Sequence, residues 1–132
     1  MNYNELADIA VQAKNKAYAQ YSNFHVGAAL LTEDGKIYEG ANIENSSYSL
    51  TICAERTAVF KAVLQGERKF KAIAVAGDSE SFTPPCGACR QVLLELCGEN
   101  LDVVLVDPQM NLKIFKLKEL IPFSFSKENL SK

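Results

Sequence analysis

Three cysteines in two separated groups constrain this chain more than any other feature. Cys53 lies in Thr51-Ile52-Cys53-Ala54-Glu55-Arg56; Cys86 and Cys89 lie in Pro84-Pro85-Cys86-Gly87-Ala88-Cys89-Arg90. Each group falls where a helix should begin. Unpaired backbone N–H groups and the positive end of the helix dipole lower thiol pKa there, and thiolate is the form that binds zinc. Three thiolates on one zinc ion leave the fourth coordination position open for water. A fold that serves them must bring two helix starts together. An α/β sheet does so when neighbouring strands feed helices at the same sheet edge.

The fourth cysteine does not complete a closed site. Cys97 lies eight residues beyond Cys89, about 12 Å along a helix axis at 1.5 Å per residue. Two sulfurs on one zinc are only about 4 Å apart. Cys97 is therefore expected to be a core residue. Glu55 stands two residues from Cys53. Acids are common in first helical turns because they suit the dipole, but beside an open metal site a carboxylate can also move protons on bound water. Zinc with three thiolates carries a net charge of about −1, which opposes ionisation of that water. A guanidinium can offset this; Arg90 could do so, but Arg56 is the arginine expected in that role. His25 is the single histidine, and nothing near it in sequence supports a ligand or base role, so a structural role is expected.

The totals set the class. A chain of 132 residues is expected to form one domain over residues 1–132. It is 48% hydrophobic and 23% charged, an ordinary globular composition. No apolar run approaches the ~20 residues that cross a bilayer, and the first residues do not read as a signal peptide. A cytoplasmic protein is expected, where thiols stay reduced and serve as ligands or core residues rather than disulfides. Net charge is −2 and the pI is near 5.4. A nucleic-acid binder usually has a basic face, so a small-molecule substrate is expected and a nucleic-acid partner is not.

Apolar spacing predicts a helix over residues 5–19 capped by Asn4, and strands over 26–31 and 36–39 around an Asp34-Gly35 turn. A polar stretch over 40–48 is too long for a tight turn, and such loops often carry function. A second helix is expected over 53–65, a buried strand over 70–76, a third helix over 86–97, and strands over 101–106 and 112–117, with one helical turn near 118–121. The tail exposes Phe123 and Phe125. The segment over 70–106 is a β-α-β unit, so its strands should be parallel. The expected fold is a three-layer α/β/α domain around a mixed sheet of about five strands.

Cys53-Ala54-Glu55 followed by Pro85-Cys86-x-x-Cys89 resembles the zinc-dependent cytidine deaminase superfamily. The likeness runs from Tyr21-Ser22-Asn23-Phe24 through Gly40-Ala41-Asn42-Ile43-Glu44-Asn45 to Arg90. It is similar above all to the small homotetrameric enzymes of nucleoside salvage, which use cysteine as the first ligand. The resemblance implies one zinc per chain on Cys53, Cys86 and Cys89, with Glu55 as the proton shuttle. Asn42 and Glu44 would hold ribose hydroxyls, and Phe24 would pack against the base. Ala54 and Cys86 would offer backbone groups to the base. Ser46, Tyr48 and Phe125 would help complete the site of a neighbouring subunit. At position 46 this chain has serine where alanine is expected.

The implied reaction is hydrolytic deamination of cytidine and 2′-deoxycytidine, with metal-activated water adding to C4 of the ring and Glu55 moving the protons. Rival readings remain. Blasticidin S deaminases share the motif and size, although the Asn42-x-Glu44 pair suits a ribose diol. A polynucleotide deaminase fits poorly with the acidic pI. A structural zinc module would leave Glu55 without a role, and a redox module on Cys86-x-x-Cys89 would leave Cys53 without one.

Overall fold

The computed structural model describes residues 1–130. The elements are α1 (Tyr3–Ala13), β1 (Val26–Thr32), β2 (Ile37–Ala41), α2 (Ala54–Leu64), β3 (Phe70–Gly77), α3 (Gly87–Cys97), β4 (Asp102–Val106), β5 (Leu112–Lys116) and α4 (Leu117–Leu120). The strands form one sheet in the order β2-β1-β3-β4-β5. β3 and β4 are parallel, as the β-α-β segment requires, and the other pairs are antiparallel. The sheet is mixed, with helices on both faces, as expected.

Alternation along the strands sorts the side chains into two cores. Ala28, Leu30, Ile73, Val75, Val103 and Leu105 face α2 and α3, joined there by Ala58, Val59 and Leu93. Ala29, Leu31, Ala72, Ala74, Val104 and Val106 face α1, against Leu6, Ala7 and Ala10. β3 is buried on both faces, which is why it reads as a near-continuous apolar run. Two glycines set how closely helices approach. A Cβ on Gly27 would lie 2.1 Å from the Ala10 carbonyl oxygen, and one on Gly40 would lie 2.2 Å from that of Ala54. Gly40 therefore seats the first turn of α2 directly on β2.

Several boundaries differ from expectation. Asn2 rather than Asn4 caps α1, its side chain accepting from the Glu5 N–H. The helix ends at Ala13, and a 3₁₀ turn follows at Lys14–Lys16. Residues beyond it are drawn into other pairings: Tyr18 N–H donates to the Asn42 carbonyl at 2.9 Å, and Glu44 N–H to the Tyr18 carbonyl at 2.8 Å. β2 starts one residue later than expected and continues to Ala41, so the polar loop begins at Asn42. Cys53 and Cys86 are the N-cap residues of α2 and α3, just outside the helices. Gly66 and Gly98, in the left-handed region, follow the ends of those helices.

Candidate active site

Cys53 and Cys86 cap their helices with extended backbone and with no side-chain capping bond, which leaves both sulfurs free to turn toward one point. Cys89 lies in the first turn of α3 and is buried. The three sulfurs lie within 4.8 Å of one another, and Cys53 Sγ is 3.8 Å from Cys86 Sγ. Tetrahedral zinc with bonds of about 2.3 Å sets its sulfurs about 4 Å apart. The donor set fits one metal ion with a fourth position left over. Cys97 belongs to the core on the α2–α3 side and is not part of this cluster.

The charges support the same reading. Cys53 is held below the usual thiol range, first by a hydrogen bond from Cys89 and then by Arg56, against the effect of burial. Cys89 moves the other way, raised by that hydrogen bond and by burial. Thiolates this close repel one another, and a divalent cation among them supplies the missing counter-charge. Glu55 is only 3% exposed. Burial pushes its carboxyl up to about 7, and the Cys53 charge adds to this. Arg56 Nη2 lies 3.5 Å from Cys53 Sγ, while its buried Nε has no hydrogen-bond partner among the described residues. Arg90 is employed elsewhere. Its Nε donates to the Pro85 carbonyl at 2.8 Å and its Nη1 to the Leu120 carbonyl at 2.7 Å. Arg56 thus makes the guanidinium–sulfur contact, and Arg90 ties the start of α3 to α4.

The loop from Asn42 onward pairs with the segment that leads into Cys53. Ile43 bridges Ile52, with N–H to carbonyl distances of 2.9 and 3.0 Å, so Asn42 and Glu44 stand next to the strand-like approach to Cys53. Asn42 is buried. Its Oδ1 accepts from Val26 N–H at 2.9 Å and its Nδ2 donates to the Phe24 carbonyl at 2.9 Å. Glu44 Oε1 accepts from the N–H groups of Tyr21 and Ser22 at 3.1 and 3.0 Å, and Oε2 from the Ser22 hydroxyl. These bonds, the Ser22 hydroxyl foremost, hold the Glu44 carboxyl below its ordinary range.

A family model described as the cytidine and deoxycytidylate deaminase zinc-binding region matches residues 1–105. The chain belongs to this deaminase family. The match contains all three clustered cysteines and Glu55. Among curated relatives, the cytidine deaminase of Sporosarcina psychrophila is 51% identical over 131 residues, covering 99% of this chain and 96% of that protein. The cytidine deaminase of Halalkalibacterium halodurans is 49% identical over 131 residues, covering 99% of each. Among solved structures, cytidine deaminase from Burkholderia pseudomallei superposes with a TM-score of 0.92 at 49% identity, covering 95% of this chain and 100% of that one. The enzyme from Mycobacterium tuberculosis superposes with a TM-score of 0.84 at 40% identity, covering 95% and 98%.

Within this deaminase chain the residues singled out from sequence divide in two. Cys53, Cys86, Cys89, Glu55, Arg56 and the backbone of Ala54 form one cluster. Phe24 is tied to Asn42 directly and to Glu44 through Ser22 by hydrogen bonds. Tyr48 lies exposed, its ring edge-on to Tyr21 with centroids 6.3 Å apart, and Ser46 is exposed in the same loop. Phe125 lies beyond the matched region; Gln91 Nε2 donates to its carbonyl at 2.9 Å, and the residue is 61% exposed. His25 is structurally satisfied, with Nδ1 2.7 Å from Asp78 Oδ2. Sequence reasoning missed Asp78, Ser22 and Gln91. The turn-rich run Tyr21-Ser22-Asn23 was a signal for Ser22, because serine hydroxyls satisfy nearby backbone in turns. Asp78 and Gln91 reach residues far away in the chain and carried no local signal. Among the described residues no helix is long and apolar enough to cross a membrane.

Proposed function

We propose that this chain catalyses the hydrolytic deamination of cytidine and 2′-deoxycytidine to uridine and 2′-deoxyuridine, releasing ammonia. The setting is pyrimidine nucleoside salvage in the cytoplasm, with residues 1–132 forming one catalytic domain of a homotetramer. One observation carries the reading: three sulfurs spaced for a single metal ion lie beside a buried glutamate. Bound zinc acts as a Lewis acid and acidifies water at the position the sulfurs leave open.

The chain supplies the rest. Glu55 takes a proton from that water and delivers it to N3 of the ring, which makes C4 more electrophilic. The water oxygen adds to C4; Glu55 then takes the second proton, from the new C4 hydroxyl, and gives it to the exocyclic amine, which leaves as ammonia. Arg56 offsets the negative charge of the three thiolates. Asn42 uses one amide N–H and one carbonyl lone pair on the backbone around Phe24, which leaves one of each for a ribose hydroxyl. Glu44 accepts three hydrogen bonds of about four that a carboxylate can take, so one site remains for the sugar. Phe24 packs against the base, and the backbone groups of Ala54 and Cys86 hydrogen-bond its edge. Ser46, Tyr48 and Phe125 reach the site of a neighbouring subunit.

The test follows the ultraviolet band of cytidine with purified protein beside the Glu55→Gln variant. The band disappears with the unaltered protein. The variant is slower by at least about 10²–10⁴-fold, the usual contribution of general acid–base transfer. Normal turnover by Glu55→Gln removes Glu55 from the shuttle role. No turnover by zinc-loaded unaltered protein moves the substrate to another aminated heterocycle, with blasticidin S tried first.

A further inference from the structure

Phe24 sits on a link outside the sheet, between the 3₁₀ turn after α1 and the start of β1. The preceding residue, Asn23, has φ 54°, a conformation that non-glycine residues rarely adopt. Side chains from distant elements hold this link. On the amino side, Glu44 takes the N–H groups of Tyr21 and Ser22, and Ser22 Oγ accepts from the Phe24 N–H at 3.0 Å. On the carboxyl side, Asp78 Oδ2 accepts the His25 N–H at 2.7 Å and lies 2.7 Å from His25 Nδ1. Asp78 directly follows β3, whose Gly77 pairs with Val26. It is braced by Lys14 Nζ, 3.4 Å from Oδ1.

We propose that Asp78 is a positioning residue for nucleoside binding, which fixes the Phe24 ring by clamping the next peptide group and the His25 ring to the end of β3. The proposal rests on the reading of Phe24 as the side chain that packs against the base. The peptide unit between Phe24 and His25 is held at both ends: Asn42 Nδ2 takes its carbonyl and Asp78 takes its N–H. Rotation of that unit would swing the Phe24 side chain, so the two bonds together set its direction. Burial works to raise the Asp78 carboxyl, yet the His25 N–H, the His25 ring and Lys14 together hold it below its ordinary range. The clamp is therefore charge-assisted, the stronger kind of hydrogen bond. Asp78 is thus a residue that acts on substrate only through Phe24.

The experiment is a double-mutant cycle on the zinc-loaded enzyme, read by cytidine kinetics and by equilibrium binding of uridine. Asp78→Ala raises KM and the uridine Kd about tenfold, the order expected for losing a hydrogen bond to a charged group. Its kcat stays within about twofold, because transition-state chemistry at Glu55 is untouched. Asp78→Asn, which keeps an acceptor oxygen for the His25 N–H, recovers part of the loss. In a Phe24→Ala background, Asp78→Ala adds nothing further. Equal effects in both backgrounds, with Phe24→Ala itself weakening binding, overturn the role of Asp78 alone. Unchanged KM and Kd in Phe24→Ala overturn the base-packing reading and the proposal with it. If Asp78→Ala does not fold, Asp78→Asn in the same two backgrounds decides: loss only where Phe24 is present upholds the clamp, and loss in both rejects it.

Discussion

Cys97 is the same residue type as the clustered cysteines but lies at the far end of α3 from Cys86 and Cys89, and geometry separates them. Burial pushes the Cys97 thiol up to about 12, so it stays a neutral apolar group packed among core side chains. Cys97→Ala is therefore expected to keep one zinc per chain by metal analysis and to lose only about 1 kcal/mol of stability in a thermal melt. Loss of metal would restore the closed four-cysteine site. Helix-start positions and the spacing between Cys89 and Cys97 were enough to predict this split. Arg56 was the arginine expected to offset the thiolate charge, and it is the one that meets sulfur; the role of Arg90 was not predictable. Arg56 and Arg90 each follow a cysteine-bearing segment, and only the packing of α4 turns Arg90 toward carbonyl oxygens.

At the level of elements, the site depends on where α2 begins. Gly40 allows that contact, since a Cβ there would lie 2.2 Å from the Ala54 carbonyl oxygen and 2.6 Å from Ala58 N. Gly40→Ala forces α2 off the sheet, so a loss of about 3 kcal/mol is expected from overpacking. Reduced zinc content should accompany it, because Cys53 and Glu55 ride on the same turn. The reciprocal attachment of α1 has a pH signature. Tyr3 is raised from 10.0 to about 12, by burial first and then by its hydrogen bond to Asp102, whose Oδ2 is 2.6 Å away. A proton held more tightly in the folded state stabilises below pH 10, and that contribution is lost as pH rises through 12. Tyr3→Phe should flatten this alkaline loss in melts recorded between those values. Strand and helix existence was legible from periodicity. The ends of α1 and β2 were not, because loop pairings with Asn42 and Glu44 outweighed local helix preference.

The whole molecule leaves more apolar surface in water than its core requires. Leu64 is 84% exposed and Tyr48 76%, and Ile43, Leu50 and Phe60 are exposed near them, with Ile43, Leu50, Phe60 and Leu64 lining one surface hollow. Such patches mark association surfaces. The proposed homotetramer should therefore show four times the chain mass in light scattering. Phe125→Ala should raise KM for cytidine about tenfold or more if its ring covers a neighbour's base, as burying an aromatic is worth about 1.5–3 kcal/mol. A fully active monomer would reject both the assembly and the shared site.

The amino-acid sequence alone determined the alternation of elements, the mixed sheet, the three metal-ligand candidates and the glutamate beside them. These follow from local periods, helix-start chemistry and short spacings, which act over a few residues. Only the tertiary structure decided that the three sulfurs converge, that Glu55 is buried, and that Asp78 and Glu44 hold the link that carries Phe24. The convergence of the sulfurs and the hold on Phe24 depend on contacts between residues some twenty to fifty positions apart, where backbone packing and shared hydrogen bonds, rather than local preference, choose the partner.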